Sequence, residues 1–257
     1  MPISESDPRS NSDFFALRGV EAGYGESLIL HGVTLELPHH GIMTLIGANG
    51  AGKSTVLKTA FGILRPVRGH VVFDGRDVTT TGSIARLRLG IAYCPQGRCN
   101  FPNMTVRENL EMGAYQRRDR EGVGSTIAEL LDLFPLLRDR EREYVGNLSG
   151  GQQQIVEMAM SLVMKPKLLL IDEPSIGLSP VMVEEVFEHI HAINRAGVTI
   201  LMVEQNARRA LASSDIGVVL ELGRVLLEQP ARDMLNNEEV RRHYLGGTRS
   251  RTVRQQT

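Results

Sequence analysis

The most diagnostic stretch of this sequence is Gly47-Ala48-Asn49-Gly50-Ala51-Gly52-Lys53-Ser54, which fits the pattern G-x-x-x-x-G-K-[ST]. The apolar run Ile42–Ile46 before it predicts a buried strand, and the residues after it predict a helix over Thr55–Leu64. Strand, glycine-rich loop and helix in this order bind phosphate, because glycines let the backbone approach the oxygens and the first helical amides face the anion. We therefore predict that the chain binds a nucleoside triphosphate, rather than carrying an ordinary glycine-rich turn.

Two side chains of this loop have predicted chemical roles. Lys53 is expected to place its ammonium against the β- and γ-phosphates, and the Ser54 hydroxyl to bind the Mg²⁺ that accompanies them. The predicted nucleotide-binding residues of the segment are Gly47, Asn49, Gly50, Gly52, Lys53, Ser54 and Thr55.

A second motif, Leu168-Leu169-Leu170-Ile171-Asp172-Glu173, consists of four apolar residues followed by two carboxylates. It is typical of a buried parallel strand whose carboxyl end opens onto bound phosphates. We predict that Asp172 holds Mg²⁺, chiefly through water, and that Glu173 accepts a proton from the water that attacks the γ-phosphate. The alternative is a strand that ends in a solvated acidic turn.

A third motif, Leu148-Ser149-Gly150-Gly151-Gln152, lies between the other two in the sequence. We predict that Ser149 caps a helix beginning near Gln152, so that its hydroxyl, the glycine amides and the positive helix end form an anion site. Taken alone, Ser-Gly-Gly also fits a flexible turn.

Together the three motifs resemble those of ATP-binding-cassette (ABC) ATPases, and the resemblance covers nearly the whole chain. It implies an α/β P-loop NTPase fold with a mixed-sheet core, an N-terminal antiparallel β region and an inserted α-helical subdomain. It also implies that ATP and Mg²⁺ are sandwiched at a dimer interface. There Ser149, Gly150, Gly151 and Gln152 face the nucleotide bound to another subunit.

The same resemblance assigns roles to two further residues. Tyr24 resembles the aromatic residue that stacks on adenine, although a core or surface tyrosine fits its position as well. Gln96 resembles the glutamine that contacts Mg²⁺ and the attacking water, the alternative being a solvated loop amide. In such ATPases the loop that carries this glutamine joins the core to the helical subdomain, so that the ATP state and the orientation of the subdomain are linked.

Two positions depart from the commonest pattern of this family. Gln205 stands where most members have a histidine after a buried strand, and glutamine donates hydrogen bonds but does not titrate near neutral pH. We therefore expect hydrolysis to be slower or to depend more on Glu173. Ser179 stands where an aspartate is usual, which changes one expected contact across the dimer interface.

A narrower resemblance, to the LivF-type ATPase subunits of branched-chain amino-acid importers, rests on Ser175–Leu178, Val203–Asn206 and Tyr244–Gly247. It implies a second ABC ATPase subunit in a hetero- or homodimer, two transmembrane permease subunits and, indirectly, an extracytoplasmic substrate-binding protein. The implied location is peripheral, at the cytoplasmic face of the inner membrane. Urea or short amides are the alternative substrates. A soluble ABC ATPase acting on DNA or ribosomes, and a regulatory nucleotide-binding subunit with little turnover, are the alternative functions.

The composition is compatible with this interpretation. The chain has 257 residues, of which 42% are hydrophobic and 23% charged, and its formal net charge is −1. Neither nucleic acid nor an anionic membrane surface is therefore expected as a partner on charge alone, and Arg117–Arg120 is expected to be solvated surface. We expect no membrane-spanning segment, no signal peptide, and free thiols at the two cysteines, Cys94 and Cys99.

The predicted organisation is a disordered lead over 1–13, one ABC ATPase domain over 14–247 and a basic tail over 248–257. The helical subdomain is expected over about 98–164, with a capping box at Thr105 and Glu108. The predicted helices run from Thr105 toward Tyr115, from Ser125 to Leu133, from Gln152 to Met164 and from Pro180 to Ala196, with short helices around Asp233–Tyr244.

The family resemblance also implies a cleft in which a cytoplasmic permease helix docks. The matching region here is Arg98–Leu110. Its expected apolar anchors are Phe101, Met104 and Val106, with Arg107 and Glu108 at the rim. A core role for some of these residues is the alternative.

Overall fold

A computed structural model describes residues 14–245, which form two β-sheets and ten α-helices. The strands are β1 (Phe15–Tyr24), β2 (Ser27–Leu37), β3 (Ile42–Ile46), β4 (Arg68–Phe73), β5 (Arg76–Asp77), β6 (Ile91–Cys94), β7 (Leu168–Asp172), β8 (Thr199–Val203), β9 (Ile216–Glu221) and β10 (Arg224–Pro230). The helices are α1 (Lys53–Phe61), α2 (Ser83–Leu89), α3 (Val106–Gly113), α4 (Glu121–Leu133), α5 (Pro135–Asp139), α6 (Gly150–Leu162), α7 (Pro180–Arg195), α8 (Ala207–Ala212), α9 (Ala231–Asn236) and α10 (Glu238–His243).

The larger sheet has six strands in the order β10-β9-β3-β8-β7-β6. The strands from β9 to β6 pair in parallel and β10 pairs antiparallel with β9, which confirms the predicted mixed-sheet core. Along β7, Leu168 and Leu170 pack into one hydrophobic cluster, whereas Leu169 and Ile171 pack into another on the opposite face. Because both faces are covered, this strand is apolar at every position before its terminal carboxylate.

Strands β3, β7 and β8 are buried along their whole length and lie side by side. The register pairs Val203 with both Leu45 and Asp172. Since parallel strands end at the same edge of a sheet, the loops that follow these three strands emerge together. That edge brings the phosphate loop close to Glu173 and Gln205.

The smaller sheet has four antiparallel strands in the order β2-β1-β4-β5, as expected for the N-terminal region. Tyr24 ends β1 at the tight turn into β2. The inner face of this sheet shares one hydrophobic cluster with α1 and with one face of the large sheet. The aromatic side chain is thereby held on the same rigid body as the phosphate loop.

Helices α3 to α6 lie between β6 and β7 in the chain, where the helical insertion is expected. Their apolar side chains share a single cluster with the face of β7 that carries Leu169 and Ile171. The predicted capping box starts α3: Glu108 N donates to Thr105 Oγ1 at 3.2 Å, and Thr105 N donates to Glu108 Oε2 at 2.7 Å. The helix ends at Gly113, two residues before the predicted Tyr115.

Other helix boundaries differ from the predictions by a few residues. Helix α1 begins at Lys53 and ends at Phe61, because Gly62, at φ 84°, donates to the carbonyls of Lys58 and Thr59. Helix α4 begins earlier than predicted, at Glu121, and α6 begins at Gly150 and ends at Leu162. Helices α7, α9 and α10 lie where helices were predicted.

Two expectations about side-chain exposure fail at one residue each. Arg118, Asp119 and Arg120 are exposed as expected, and the core role given as the alternative for the permease anchors holds for Val106. Arg117 is not simply solvated surface, since its guanidinium donates to Thr126 Oγ1 at 2.5 Å and to Val163 O at 3.0 Å, and pairs with Asp119. Val106 is fully buried in the helical insertion and cannot serve as a surface anchor. Both side chains are fixed by contacts with residues distant in the chain.

Cys94 is buried and Cys99 exposed, and both are free thiols, as expected. Within residues 14–245, no helix combines the length and the apolarity needed to cross a bilayer. The predictions for 1–13 and 248–257, and the use of Gly246 and Gly247 in the narrower resemblance, lie outside the described residues.

Candidate nucleotide site

The phosphate loop connects β3 to α1 and wraps around the Lys53 side chain. Lys53 Nζ donates to the carbonyls of Gly47 at 2.9 Å and Ala48 at 3.1 Å, and the side chain is buried. Gly52, at φ 103°, precedes the helix in a conformation that favours glycine. The first amides of α1 have no partner within the helix, so the ammonium and the helix end concentrate positive charge at one loop. This is the arrangement that binds a polyphosphate.

Glycine is required at position 47 because a neighbouring strand leaves no room for a side chain. A Cβ atom placed there would lie 2.2 Å from the Leu220 carbonyl oxygen of β9. A side chain at this position would therefore displace either the loop or the strand.

Asp172 ends β7 directly behind the loop and is only 3% exposed. Ser54 Oγ donates to its Oδ1 at 3.0 Å, and Tyr93 Oη donates to its Oδ2 at 3.1 Å. Burial raises the pKa of this carboxyl, and the two hydrogen bonds oppose that rise by favouring the charged form. The carboxylate is thus oriented by two donors at the floor of the site.

The residues at this floor fit Mg²⁺. The ion prefers oxygen ligands and usually takes only one or two from the protein, because water and substrate phosphates complete its octahedron. The Ser54 hydroxyl and the Asp172 carboxylate provide two such oxygens on adjacent elements, already within hydrogen-bonding distance of each other. Within residues 14–245, no group of three or more His, Cys, Asp or Glu side chains is arranged to hold a metal on its own.

Glu173 follows Asp172 in a left-handed backbone conformation, at φ 51°, that non-glycine residues seldom adopt. Its amide donates to Val203 O at 2.9 Å, and its Oε2 accepts from Gln96 Nε2 at 3.0 Å. Burial raises the pKa of Glu173, Lys53 lowers it, and the charges of Asp172 and Glu204 raise it again. A carboxylate with a raised pKa is a stronger base than an ordinary glutamate.

An open cavity of about 440 Å³ brings most of the predicted nucleotide residues together. Its lining includes the sequence-predicted residues Tyr24, Asn49, Gly50, Gly52, Lys53, Ser54, Thr55, Gln96, Glu173 and Gln205. Asp172 and Gly47 contact this lining through the hydrogen bonds to Ser54 and Lys53. Ile29 and Ile176 also line the cavity and were not predicted as nucleotide-binding residues, although Ile176 belongs to the stretch Ser175–Leu178 of the narrower resemblance.

Tyr24 lines this cavity and is 48% exposed. Lys58 Nζ lies 5.9 Å from the centroid of its ring. A half-exposed ring on a strand end offers a flat surface on which a base can stack.

The two departures from the common pattern occupy different environments. Gln205 is exposed at the cavity, directly after β8 and Glu204. Ser179 is the N-cap of α7, with its Oγ accepting from Met182 N at 3.5 Å. Its position is therefore explained by helix capping within the chain.

The Ser149 motif lies outside the cavity, at the start of α6. Ser149 N donates to Gln152 Oε1 at 3.0 Å, and Gln152 N donates to Ser149 Oγ at 3.4 Å, so the two residues form a reciprocal capping box. Gly151 is buried, with Met182 side-chain atoms 3.1 Å from the position a Cβ would take, whereas Gly150 is exposed. The motif thus presents an ordered helix N-terminus rather than a flexible turn.

Three side chains that contact the site or a loop beside it were not predicted from the sequence. Tyr93 contacts Asp172, as described above. Glu157 Oε1 accepts from the amides of Cys99 and Asn100, in the loop that follows Gln96. Glu204 accepts hydrogen bonds from two loops at the sheet edge. An acidic residue directly after the apolar strand Thr199–Val203 was a usable indication for Glu204, whereas the contact of Glu157 depends on the packing of α6.

Comparisons with known proteins agree with this geometry. A protein-family profile described as "ABC transporter" matches residues 30–176. The high-affinity branched-chain amino acid transport ATP-binding protein BraG of Pseudomonas aeruginosa is 42% identical over 228 residues, covering 89% of this chain and 97% of that protein. The probable branched-chain amino acid transport ATP-binding protein LivF of Archaeoglobus fulgidus is 40% identical, covering 88% of this chain and 96% of that protein. A solved ATP-binding cassette of an ABC transporter superposes with a TM-score of 0.82 at 26% identity, covering 91% of this chain and 99% of that one.

Proposed function

This chain belongs to the ABC transporter family of ATP-binding cassette ATPases, and from that premise we propose that it powers the import of branched-chain amino acids. ATPases of this family bind and hydrolyse nucleotide and couple hydrolysis to transport. The observation that carries the substrate class is the 42% identity to BraG, which extends over 97% of that protein. Such coverage leaves no large part of the relative without a counterpart here.

The proposed hydrolysis uses the residues of the cavity. Lys53 and the first amides of α1 bind the phosphates, and Tyr24 stacks on the base. Bound at Ser54 and Asp172, Mg²⁺ would neutralise charge on the phosphate oxygens. Glu173 accepts the proton of the attacking water, and Gln96 orients Glu173 through their hydrogen bond of 3.0 Å. Gln205 donates a hydrogen bond to the γ-phosphate from the opposite loop.

A second ATPase subunit completes this site in the proposal. Ser149, Gly150, Gly151 and Gln152 form a pre-organised helix N-terminus that does not line the chain's own cavity. Such a helix end suits an anion, here the γ-phosphate held by the partner subunit. The partner is either a second copy of this chain or a sister ATPase.

We further propose that the subunit is peripheral at the cytoplasmic face of the inner membrane, beneath two permease subunits. These would receive the substrate from an extracytoplasmic binding protein. Residues 14–247 would form one ATPase domain, with the helices of 98–164 as its subdomain. Phe101, 41% exposed, and the half-buried Met104 remain candidates for docking a permease helix. Arg107 and Glu108 are exposed beside them.

The function is tested by purification and transport. The tagged chain, extracted from its native membranes in detergent, is expected to co-purify with permeases and a second cassette ATPase. The complex in vesicles, with ATP at the side of the ATPase, is then expected to take up leucine, isoleucine or valine presented by the binding protein. Lys53→Ala is the matched control without phosphate binding.

Two results would contradict the proposal. ATP-dependent uptake of urea or a short amide, without uptake of any of the three amino acids, would overturn the substrate class. Recovery only with ribosomes or DNA-repair proteins would overturn transport itself.

A further inference from the structure

Glu204 is a buried carboxylate whose place the catalytic roles above leave unexplained. It follows β8 directly and is 1% exposed. Its Oε1 accepts from the Ser175 amide at 2.9 Å, and its Oε2 accepts from the Asn206 amide at 2.9 Å. Burying a carboxylate is costly unless hydrogen bonds compensate, and here both oxygens are used by backbone donors.

The two donors belong to different loops of the nucleotide site. Ser175 lies in the loop that leads from Glu173 toward α7, and Asn206 lies beside Gln205 in the loop before α8. The loops also meet at their roots, where Glu173 N donates to Val203 O at 2.9 Å. The Glu204 side chain therefore bridges the loop of the base and the loop of the γ-phosphate donor.

We propose that Glu204 is a positioning residue for ATP hydrolysis, which holds the Glu173 loop and the Gln205 loop at a fixed separation. This inference rests on the proposed ATPase function of the same site. Glu173 needs such support, because its φ of 51° is unfavourable for a non-glycine residue and persists only where the surroundings fix it. Small displacements of a catalytic group slow reaction strongly, because the reacting atoms must be aligned.

The chemistry of the contact makes a carboxylate necessary. A glutamate accepts on both oxygens, whereas a glutamine presents one acceptor and one donor. Glu204→Gln therefore keeps the shape but sets an NH₂ group against one of the two amides. Glu204→Asp keeps both acceptors and shortens their reach by one methylene. Phosphate binding should survive either change, since Lys53 and its loop are held by their own hydrogen bonds.

The test measures ATP hydrolysis and nucleotide affinity in the complex purified with its partners. For Glu204→Gln we expect kcat to fall on the order of tenfold, while KM for ATP and the affinity for a non-hydrolysable ATP analogue stay within about twofold. Glu204→Asp should recover part of the lost kcat. Glu188→Gln, an exposed carboxylate on α7, is the matched control and should behave as wild type.

Three outcomes would overturn the inference. The first is an unchanged kcat for Glu204→Gln. The second is a fall in kcat that is matched by losses of ATP affinity and of thermal stability, which would show a general structural role. The third applies if Glu204→Gln does not fold: a folded Glu204→Asp variant with wild-type kcat would overturn the inference. A Glu204→Asp variant with a reduced kcat at unchanged ATP affinity would support it. An inactive wild-type complex would overturn the proposed ATPase function. An active wild-type complex with one of the three outcomes above would overturn only the role of Glu204.

Discussion

The phenol of Tyr93 donates a hydrogen bond to Asp172 Oδ2 at 3.1 Å, from the strand that neighbours β7. Asp172 Oδ1 accepts from Ser54 at 3.0 Å, so one carboxylate is held from two directions. Burial by the same surroundings raises the pKa of the Tyr93 hydroxyl, which therefore remains a donor at every physiological pH. Tyr93 thus orients the proposed metal ligand although it is not among the residues that line the cavity.

Replacing Tyr93 by phenylalanine should weaken Mg²⁺ binding by about tenfold, because groups that orient a ligand contribute at this level to metal affinity. The ring itself still packs against Phe61, whose centroid lies 5.5 Å away, so the fold should be retained. Calorimetric titration of Mg²⁺ into the complex with a non-hydrolysable ATP analogue measures the change. Tyr115→Phe, which alters an exposed residue, is the control. Equal Mg²⁺ affinity of both variants would show that the contact does not orient the ligand.

Replacing Glu173 by glutamine should reduce kcat by at least about a hundredfold, as expected for the loss of a general base. The amide can still accept a hydrogen bond from Gln96, so ATP binding should persist and a closed, ATP-bound dimer should accumulate. Single-turnover hydrolysis and size-exclusion chromatography with ATP report the two effects. Hydrolysis at the wild-type rate would remove Glu173 from the proposed role.

The parts of the molecule that sequence could predict are those fixed by neighbours in the chain. The capping boxes at Thr105 and Ser149 close within three residues, and the phosphate loop is a local motif. The run Leu168–Asp172 was recognisable because a strand covered on both faces has no polar alternation. Arg86 could not be foreseen, since its acceptor Thr59 lies 27 residues away and its environment exists only after packing. Val106 follows the same rule, because tertiary contacts decide its burial. The position of Glu204 directly after an apolar strand was a usable indication, but its contacts with two loops were not predictable.

Arg86 should be important for stability, because its side chain is fully buried and its guanidinium donates hydrogen bonds to several backbone carbonyls. Two of these acceptors, Thr59 and Ala60, are in the last turn of α1, where a cation interacts favourably with the negative end of the helix dipole. Burial lowers the pKa of Arg86 to about 10, so it remains charged near neutral pH. Arg86→Met should lower the free energy of unfolding by about 3 kcal/mol, since several buried carbonyls lose their donor.

Urea unfolding of the purified chain measures this loss. Arg88→Met changes the same residue type at an exposed position of the same helix and should stay within about 0.5 kcal/mol of wild type. Similar stabilities for the two variants would mean that water donates to these carbonyls in place of Arg86 without cost.

Glu157 should make stability fall as pH rises. Burial raises its pKa above the ordinary 4.5, so the folded state binds the proton more tightly than the unfolded chain does. Its stabilising contribution is therefore complete below the unfolded pKa and is lost as pH rises through the higher folded pKa. The cause is visible at Oε2, which is buried without a hydrogen-bond partner, in a side chain that is 4% exposed.

Glu157→Gln should remove this pH dependence, because an amide does not titrate and its oxygen can accept the same hydrogen bonds from Cys99 and Asn100. In urea unfolding, the variant should gain stability relative to wild type as pH rises above the ordinary pKa of 4.5. Glu188→Gln on α7 serves as the exposed control. A stability difference between Glu157→Gln and wild type that does not change with pH would show that the pKa of Glu157 is the same in the folded and the unfolded chain.

Phe101→Asp combined with Met104→Asp should uncouple ATP hydrolysis from transport. The backbone of this segment is fixed independently of these side chains: Phe101 N donates to Asn109 Oδ1 at 2.7 Å, and Met104 O accepts from Val145 N at 3.0 Å. A carboxylate at the exposed position 101 and one at the half-buried position 104 should therefore leave the fold and basal ATPase intact while opposing an apolar permease helix. Uptake into vesicles should fall by at least about tenfold, whereas the basal ATPase activity of this subunit together with its partner ATPase subunit should stay within about twofold of wild type. Val106→Asp, at a fully buried position beside them, is the comparison for misfolding and should lose both activities together. If the double variant behaves like Val106→Asp, these two side chains support the helical insertion rather than the permease contact.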